Sequence, residues 1–180
     1  MQSVKDGDLD KLGLLFERYH HRLFGYFFRM TSRRDVSEDL VQGVFERILK
    51  YRSSYSGESA FSTWIYQIAR NLHADYYRSR KRTGLEESPV EWDSIPSNNR
   101  EFHNQSDTEL DQQLVQQALQ KLSDEKKQVL ILNRFEGFTY REIAEITASS
   151  ENAVKVRAFR ALRELKKQIM KLEKSRHVEE

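Results

Sequence analysis

The spacing of apolar residues along this chain is helical almost throughout, and it limits the possible folds more than any other feature. Apolar side chains recur every three or four residues, as at Leu15, Tyr19, Leu23 and Phe27. No stretch shows the two-residue alternation that is typical of a half-buried β-strand. The sequence therefore predicts an all-α protein.

Three helices are predicted in the first half of the chain. The first follows the apolar spacing from Leu12 to Met30, as one long helix or two abutting ones. The second begins near Asp35, where Asp35 and Glu38 are spaced like a capping box. The third has an apolar stripe in which Trp64 is expected to be a core residue; the stripe consists of Phe61, Trp64, Ile65, Ile68, Leu72 and Tyr76.

A segment without apolar periodicity separates this half from the rest. Both prolines of the chain, Pro89 and Pro96, lie in it. From Thr83 to Asp111 there are eight acidic residues and one basic residue. This composition predicts a flexible acidic linker over 84–106. It joins two small helical domains, 1–83 and 107–175, and a polar tail follows at 176–180.

Four more helices are predicted after the linker. The fourth has apolar residues from Leu110 to Leu122, and the fifth is capped by Ser123 and stops at Gly137. The sixth is short and opens with a capping box formed by Thr139 and Glu142, whereas Ser150 caps the seventh.

The last two helices have the form of a helix-turn-helix. Ala148 stands in the turn, where glycine is common. Either Ala148 adopts a left-handed conformation at a modest cost, or the turn differs slightly from the usual one. At 100° per residue, a narrow core stripe faces inward on the last helix, formed by Val154, Ala158, Ala161, Leu165 and Ile169. The opposite face has Asn152, Lys155, Val156, Phe159 and Arg160.

Val156 and Phe159 are unusual on a face that should meet solvent. They could contact a partner helix or extend the core. They could also contact thymine methyl groups in a DNA major groove, with Lys155 and Arg160 on base edges or phosphates. The charge pattern favours DNA, because Arg78–Arg82 and Glu151–Lys171 are two basic segments that flank the acidic one.

The composition argues against catalysis and against a bound metal. The chain has no cysteine, which excludes disulfides and thiolate metal sites and fits a reducing cytosol. No nucleophile motif or phosphate-binding glycine loop occurs. We therefore expect no enzyme activity, no cofactor and no small-molecule substrate. The five histidines show no metal-ligand spacing; they are His20, His21, His73, His103 and His177.

The beginning of the chain does not read as a secretory signal, because it has no basic segment followed by an apolar one. No apolar stretch is long enough to span a bilayer. A cytoplasmic location is therefore expected.

Four short motifs, in order along the chain, resemble a bacterial RNA polymerase sigma factor of the extracytoplasmic-function type. They are Phe16–Tyr19, Asp39–Gln42, Phe61–Asn71 and Gly137–Ala144. The resemblance covers nearly the whole chain. It implies that the first domain binds core RNA polymerase and opens the −10 promoter element, and that the last domain reads the −35 element.

The resemblance also implies roles for individual residues. Asp39, Leu40 and Gln42 would contact the polymerase, next to Gly43, which replaces the usual glutamate. The −10 strand would be bound by Ser54, Tyr55, Ser56, Gly57, Phe61, Asn71, Arg78, Arg80, Lys81 and Arg82. The −35 element would be read by Ser150, Asn152, Lys155, Val156, Arg157, Phe159 and Arg160. An anti-sigma factor is expected as a further partner.

One alternative stays open from the sequence. A conventional transcriptional regulator could combine the same helix-turn-helix with an N-terminal helical interaction domain. Such a protein would bind DNA without polymerase, and it would normally do so as a dimer.

Overall fold

The computed structural model describes residues 1–8, 10–83 and 109–176, and every regular element within these ranges is helical. The predicted linker and the end of the predicted tail lie outside the described residues. The α-helices are α1 (Gln2–Lys5), α2 (Asp10–Thr31), α3 (Arg34–Tyr51), α4 (Phe61–Thr83), α5 (Glu109–Gln120), α6 (Asp124–Leu130), α7 (Tyr140–Thr147) and α8 (Glu151–Arg176).

The first half of the chain is built on α2, which is one continuous helix. It packs against α3, and α3 packs against α4. Leu23, Val44, Ile48 and Ile65 are completely buried between these helices. The predicted stripe of α4 is only partly buried, because Trp64, Ile68 and Leu72 lie at the edge of this core.

The predicted capping box at the start of α3 is wrong. Arg33 is the N-cap residue, so Asp35 lies inside the first turn, where its carboxylate is ion-paired with the Arg33 guanidinium. Thr31 takes over part of the capping role, because its hydroxyl accepts a hydrogen bond from the Arg33 backbone N–H at 3.1 Å.

Gly43 lies where α3 approaches α4 closely. A methyl group built on Gly43 would be 2.9 Å from Cδ2 of Leu72 in α4. The missing side chain therefore allows close helix packing, in addition to removing the glutamate that the family resemblance led us to expect.

The fifth predicted helix is interrupted before Gly137. The α-helix α6 ends at Leu130 and continues as one π-helical turn, Ile131–Phe135, in which the Glu136 N–H donates to the Ile131 carbonyl at 3.1 Å. Ser123 is the N-cap residue as predicted, but its side chain makes no capping hydrogen bond. Gly137 then reverses the chain with a φ of 77°.

Local capping at the helix-turn-helix follows the predictions. Thr139 and Glu142 form both hydrogen bonds of the capping box at the start of α7. Of the two alternatives for the turn, the structure has the left-handed Ala148, with φ 50° and ψ 48°. The Ser150 hydroxyl accepts a hydrogen bond from the Ala153 N–H at 3.2 Å and thereby caps α8.

The two halves of the chain pack against each other, which the sequence did not lead us to expect. One buried cluster combines residues of α2, α3 and α4 with residues of α6, α7 and α8. Helix α7 lies on a second face of α4. Just before α7, the ring of Phe138 meets that of Tyr66 with centroids 4.9 Å apart. Tyr66 is completely buried as a result.

Candidate nucleic-acid interface

The exposed face of α8 combines apolar and cationic side chains. Phe159 is 70% exposed and Val156 is 50% exposed, which is high for large apolar residues. Asn152, Lys155 and Arg160 are exposed around them. The core stripe lies on the opposite side, with Val154 and Ala161 completely buried. Five of the residues predicted to read the −35 element therefore share one accessible surface.

The other two residues of that predicted set make contacts within the protein. The guanidinium Nε of Arg157 lies 3.4 Å from the Glu125 carboxylate of α6, and the Arg157 side chain is 27% exposed. The Ser150 hydroxyl caps its own helix. Both residues therefore stabilise the position of α8.

Helix α7 adds a cation that the sequence did not single out. Arg141 lies in the first turn of α7 and its side chain is 83% exposed, 3.8 Å from the Glu145 carboxylate. A basic residue in the first turn of α7 was the signal that could have identified Arg141, because the first helix of a helix-turn-helix crosses the DNA backbone in its complexes.

The loop between α3 and α4 packs on a cluster of aromatic rings. The Tyr55 ring packs against the rings of Phe61 and Trp64, with centroids 5.9 Å and 5.2 Å away. Its hydroxyl donates to the Ser59 carbonyl at 3.1 Å. Ser54, Ser56 and Gly57 are exposed beside this aromatic cluster, and Gly57 has a φ of 82°. Small polar groups beside a flat apolar wall suit an unstacked nucleic-acid base.

Trp64 belongs to this aromatic cluster and is only partly buried, although it also packs against the core. Its prediction as a core residue was therefore only partly right. The edge of the apolar stripe of α4 faces the loop, where Trp64 packs on Tyr55.

The predicted −10 residues farther along α4 form a largely exposed cationic surface. Asn71, Arg78, Lys81 and Arg82 are exposed, whereas Arg80 is partly buried. Arg78 is ion-paired with Asp75, and the Arg80 guanidinium donates to the Tyr76 hydroxyl at 2.8 Å. This surface lies on the same helix as Phe61, so α4 connects the loop to the basic segment.

On α3, Asp39 and Gln42 are exposed, and the Gln42 amide donates to Glu46 at 3.2 Å. Leu40 differs, because it is 5% exposed and belongs to the core. The polymerase contact of Leu40 stays a prediction, but its side chain does not share the exposed face of Asp39, because adjacent helix residues point in different directions.

In the described residues, no group of histidine, aspartate or glutamate side chains could hold a metal ion. Within the same ranges, none of the helices has the length and apolar character needed to cross a membrane.

The two halves of the chain match two family models. The model described as sigma-70 region 2 matches residues 15–83. The model described as sigma-70, region 4, matches residues 112–165. The loop and α4 therefore fall in the first match, and the helix-turn-helix falls in the second.

Similar proteins cover nearly all of the chain. The RNA polymerase sigma factor CarQ of Myxococcus xanthus is 30% identical over 96% of this chain and 97% of its own length. The ECF RNA polymerase sigma-E factor of Haemophilus influenzae is 30% identical over 96% of this chain and 94% of its own length.

A solved structure shares the fold. The sigma factor RpoE of Bartonella quintana, in complex with the anti-sigma factor NepR, matches with a TM-score of 0.73 and 24% identity over 88% of this chain and 96% of that one. Family models, relatives and fold agree. The chain belongs to the sigma-70 family of bacterial RNA polymerase sigma factors and is of the extracytoplasmic-function type.

Proposed function

We propose that this sigma factor reads the −35 promoter element with the exposed face of α8. As a member of its family, the chain directs promoter-specific transcription initiation and is not an enzyme. The observation that carries the assignment is the exposure of Val156 and Phe159 between Lys155 and Arg160. Apolar groups can contact thymine methyls, and the flanking cations can contact base edges or phosphates.

Recognition of the −10 element is assigned to α4 and to the loop between α3 and α4. A base of the melted strand would stack on the wall formed by Tyr55 and Phe61, with Ser54, Ser56 and Gly57 around it. Asn71 would face the same strand. The phosphates would be neutralised by the cationic end of α4, formed by Arg78, Arg80, Lys81 and Arg82.

Binding of core polymerase is assigned to the exposed face of α3, where Asp39 and Gln42 lie. Leu40 supports that face from the core. The domain boundaries 1–83, 84–106 and 107–175 belong to the same proposal. So do the cytoplasmic location and an anti-sigma factor as partner, which the complex of the Bartonella quintana relative supports.

Run-off transcription with cognate core polymerase tests the proposal. Promoter-dependent transcripts are expected, and their absence at every tested promoter would contradict it. Arg160→Ala and Lys155→Ala should weaken binding to a −35 duplex while affinity for core polymerase stays the same. Equal loss of both affinities would contradict the assignment of α8 to DNA.

A further inference from the structure

The short helix α1 is anchored by apolar contacts to the first half of the chain. Val4 is completely buried, and Met1 packs against the hydrophobic core. The chain turns at Gly7, which has a φ of 106°, and the Gly7 N–H donates to the Val4 carbonyl at 3.2 Å. Helix α1 thereby packs both against α2 and against the 3₁₀ turn Arg52–Ser54, with which the loop between α3 and α4 begins.

Lys5, the last residue of α1, makes a polar contact with this loop. Its ammonium donates a hydrogen bond to the Tyr55 carbonyl at 3.0 Å, although the two residues are 50 positions apart in the sequence. By contrast, the Ser54 hydroxyl donates to the Tyr51 carbonyl three residues earlier, and the Tyr55 hydroxyl donates to the Ser59 carbonyl four residues later. Lys5 therefore connects the loop to a distant part of the sequence.

Tyr55 also contributes the ring that packs against Phe61 and Trp64. Because the carbonyl and the ring belong to one residue, a hydrogen bond to the carbonyl restricts the backbone from which the ring projects. A charged donor makes this bond stronger than one between neutral groups. Gly57 gives the loop additional backbone freedom, so a restraint from outside the loop has more effect there.

We propose that Lys5 is a positioning residue for recognition of the −10 strand, because it holds the Tyr55 ring where an unstacked base can stack on it. This inference depends on the proposed function, which places that base on Tyr55 and Phe61. Without the Lys5 contact, the loop populates further arrangements, and the apparent affinity falls with the fraction of protein that stays competent to bind.

Binding of a single-stranded oligonucleotide to the holoenzyme tests the proposal. The oligonucleotide carries the non-template −10 strand of a promoter that the wild type transcribes. Lys5→Ala should weaken binding about fivefold, because the loop loses a hydrogen bond from a charged donor. Lys5→Arg should restore most of the affinity, since a guanidinium also donates to a carbonyl. Lys11→Ala, an exposed change of the same charge in α2, is the control and should bind like the wild type.

The salt dependence of binding distinguishes positioning from a direct contact between Lys5 and a DNA phosphate. If Lys5 acts through Tyr55, the slope of log affinity against log salt should be the same for the wild type and Lys5→Ala. A direct phosphate contact would make the slope of Lys5→Ala shallower by about 0.7, the contribution of one phosphate in a single strand. That result would overturn the proposal.

Trp64 fluorescence reports on the same contact without DNA. The chain has two tryptophans, Trp64 and Trp92, so Trp92→Phe leaves Trp64 as the single fluorescent indole. Because the Tyr55 ring packs on Trp64, Lys5→Ala should shift the emission to longer wavelength in this background, as the indole becomes more exposed to water. Lys11→Ala should leave the emission unchanged. Identical emission spectra for the Lys5→Ala and Lys11→Ala variants would contradict the proposal.

The outcomes separate this inference from the proposed function. Equal binding of the −10 strand by the wild type and Lys5→Ala would overturn the role of Lys5 and leave the sigma-factor assignment intact. Failure of the wild-type holoenzyme to bind the −10 strand would overturn the proposed −10 site, and this inference with it. Lys5→Ala should bind a −35 duplex as the wild type does, and a parallel loss there would contradict a role confined to the loop.

Discussion

The hydroxyl of Tyr66 donates a 2.5 Å hydrogen bond to the carboxylate of Glu136, across the contact between the two halves of the chain. Tyr66 lies in α4, and Glu136 follows the π-helical turn. The Arg22 guanidinium Nε lies 3.4 Å from the same carboxylate. Burial raises the pKa of Glu136 above its usual value, while both partners lower it. Each partner therefore offsets part of the cost of a buried carboxylate.

Tyr66→Phe should destabilise the folded chain by about 2 kcal/mol, because a buried carboxylate loses a hydrogen-bond donor. Urea unfolding at neutral pH measures this difference. Tyr51→Phe is the matched control, since Tyr51 is 46% exposed, and it should change the free energy of unfolding little. Equal effects of the two substitutions would show that the Tyr66 hydrogen bond adds nothing.

Acid should destabilise the fold through His73, which is 5% exposed and has no hydrogen-bond partner on Nε2. Burial lowers the His73 pKa to about 4, and the Lys127 ammonium adds to the lowering while Asp124 opposes it. The unfolded chain therefore binds more protons between about pH 6.5 and pH 4. Going from pH 7 to pH 5 should cost about 2 kcal/mol from this residue.

The His73 effect is measured as a difference, because Glu136 acts in the opposite direction. Its raised pKa means that the folded state takes up a proton at a higher pH than the unfolded state does, so this group favours folding as the pH falls. His73→Phe should remove the His73 contribution and leave that of Glu136. His21→Gln, an exposed change, should keep the wild-type pH dependence. An identical pH dependence in wild type and His73→Phe would disprove this role of His73.

Ala148→Gly should stabilise the protein by up to about 1 kcal/mol, because Ala148 has a φ of 50° and glycine adopts this conformation without a steric cost. Thermal or urea unfolding measures it. Ala153→Gly, inside α8, should instead lose about 1 kcal/mol. A loss of stability in both variants would mean that the turn favours alanine.

Two glycine substitutions separate helix propensity from packing. Gly13→Ala in α2 should gain up to about 1 kcal/mol, since nothing lies within 4 Å of the added methyl group. Gly43→Ala should gain less, because its methyl group displaces Leu72, which approaches to 2.9 Å. The comparison uses the free energy of unfolding of both variants. A larger gain at Gly43 would rule out close packing as the reason for glycine there.

Glu151→Gln should strengthen binding to a −35 duplex a few-fold. Glu151 is ion-paired with Lys155 at 2.7 Å on the face assigned to DNA. Removing the acid frees one cation for a phosphate, so the slope of log affinity against log salt should steepen by about 1. Glu164→Gln on the same helix is the control, because Glu164 pairs with Lys126 of α6. Equal gains would indicate a general charge effect.

Local rules predicted the helix-turn-helix well. The capping box at Thr139 and the cap at Ser150 depend on neighbours in the sequence, and the structure confirms them. Of the two alternatives for the turn, the structure has the left-handed Ala148. The capping box at Asp35 failed for an equally local reason. The N-cap is Arg33, and a competing ion pair takes the Asp35 carboxylate.

The contact between the halves could not be predicted in the same way. Thr63, Tyr66 and His73 form a second helical stripe on α4, with spacings of three and seven residues. A stripe of threonine, tyrosine and histidine reads as a solvated face, since each residue type is often exposed. Only the packing of the second half shows that it is buried.

The contact between Tyr66 and Glu136 depends on the number of residues in the π-helical turn Ile131–Phe135. A π turn accommodates one residue more per hydrogen bond than an α turn. Deleting one residue from 131–135 would let α6 continue regularly and would rotate Glu136 by about 100° away from Tyr66. No substitution reproduces that change. Among related sigma factors, a one-residue gap in this segment would separate chains that can form the contact between Tyr66 and Glu136 from chains that cannot.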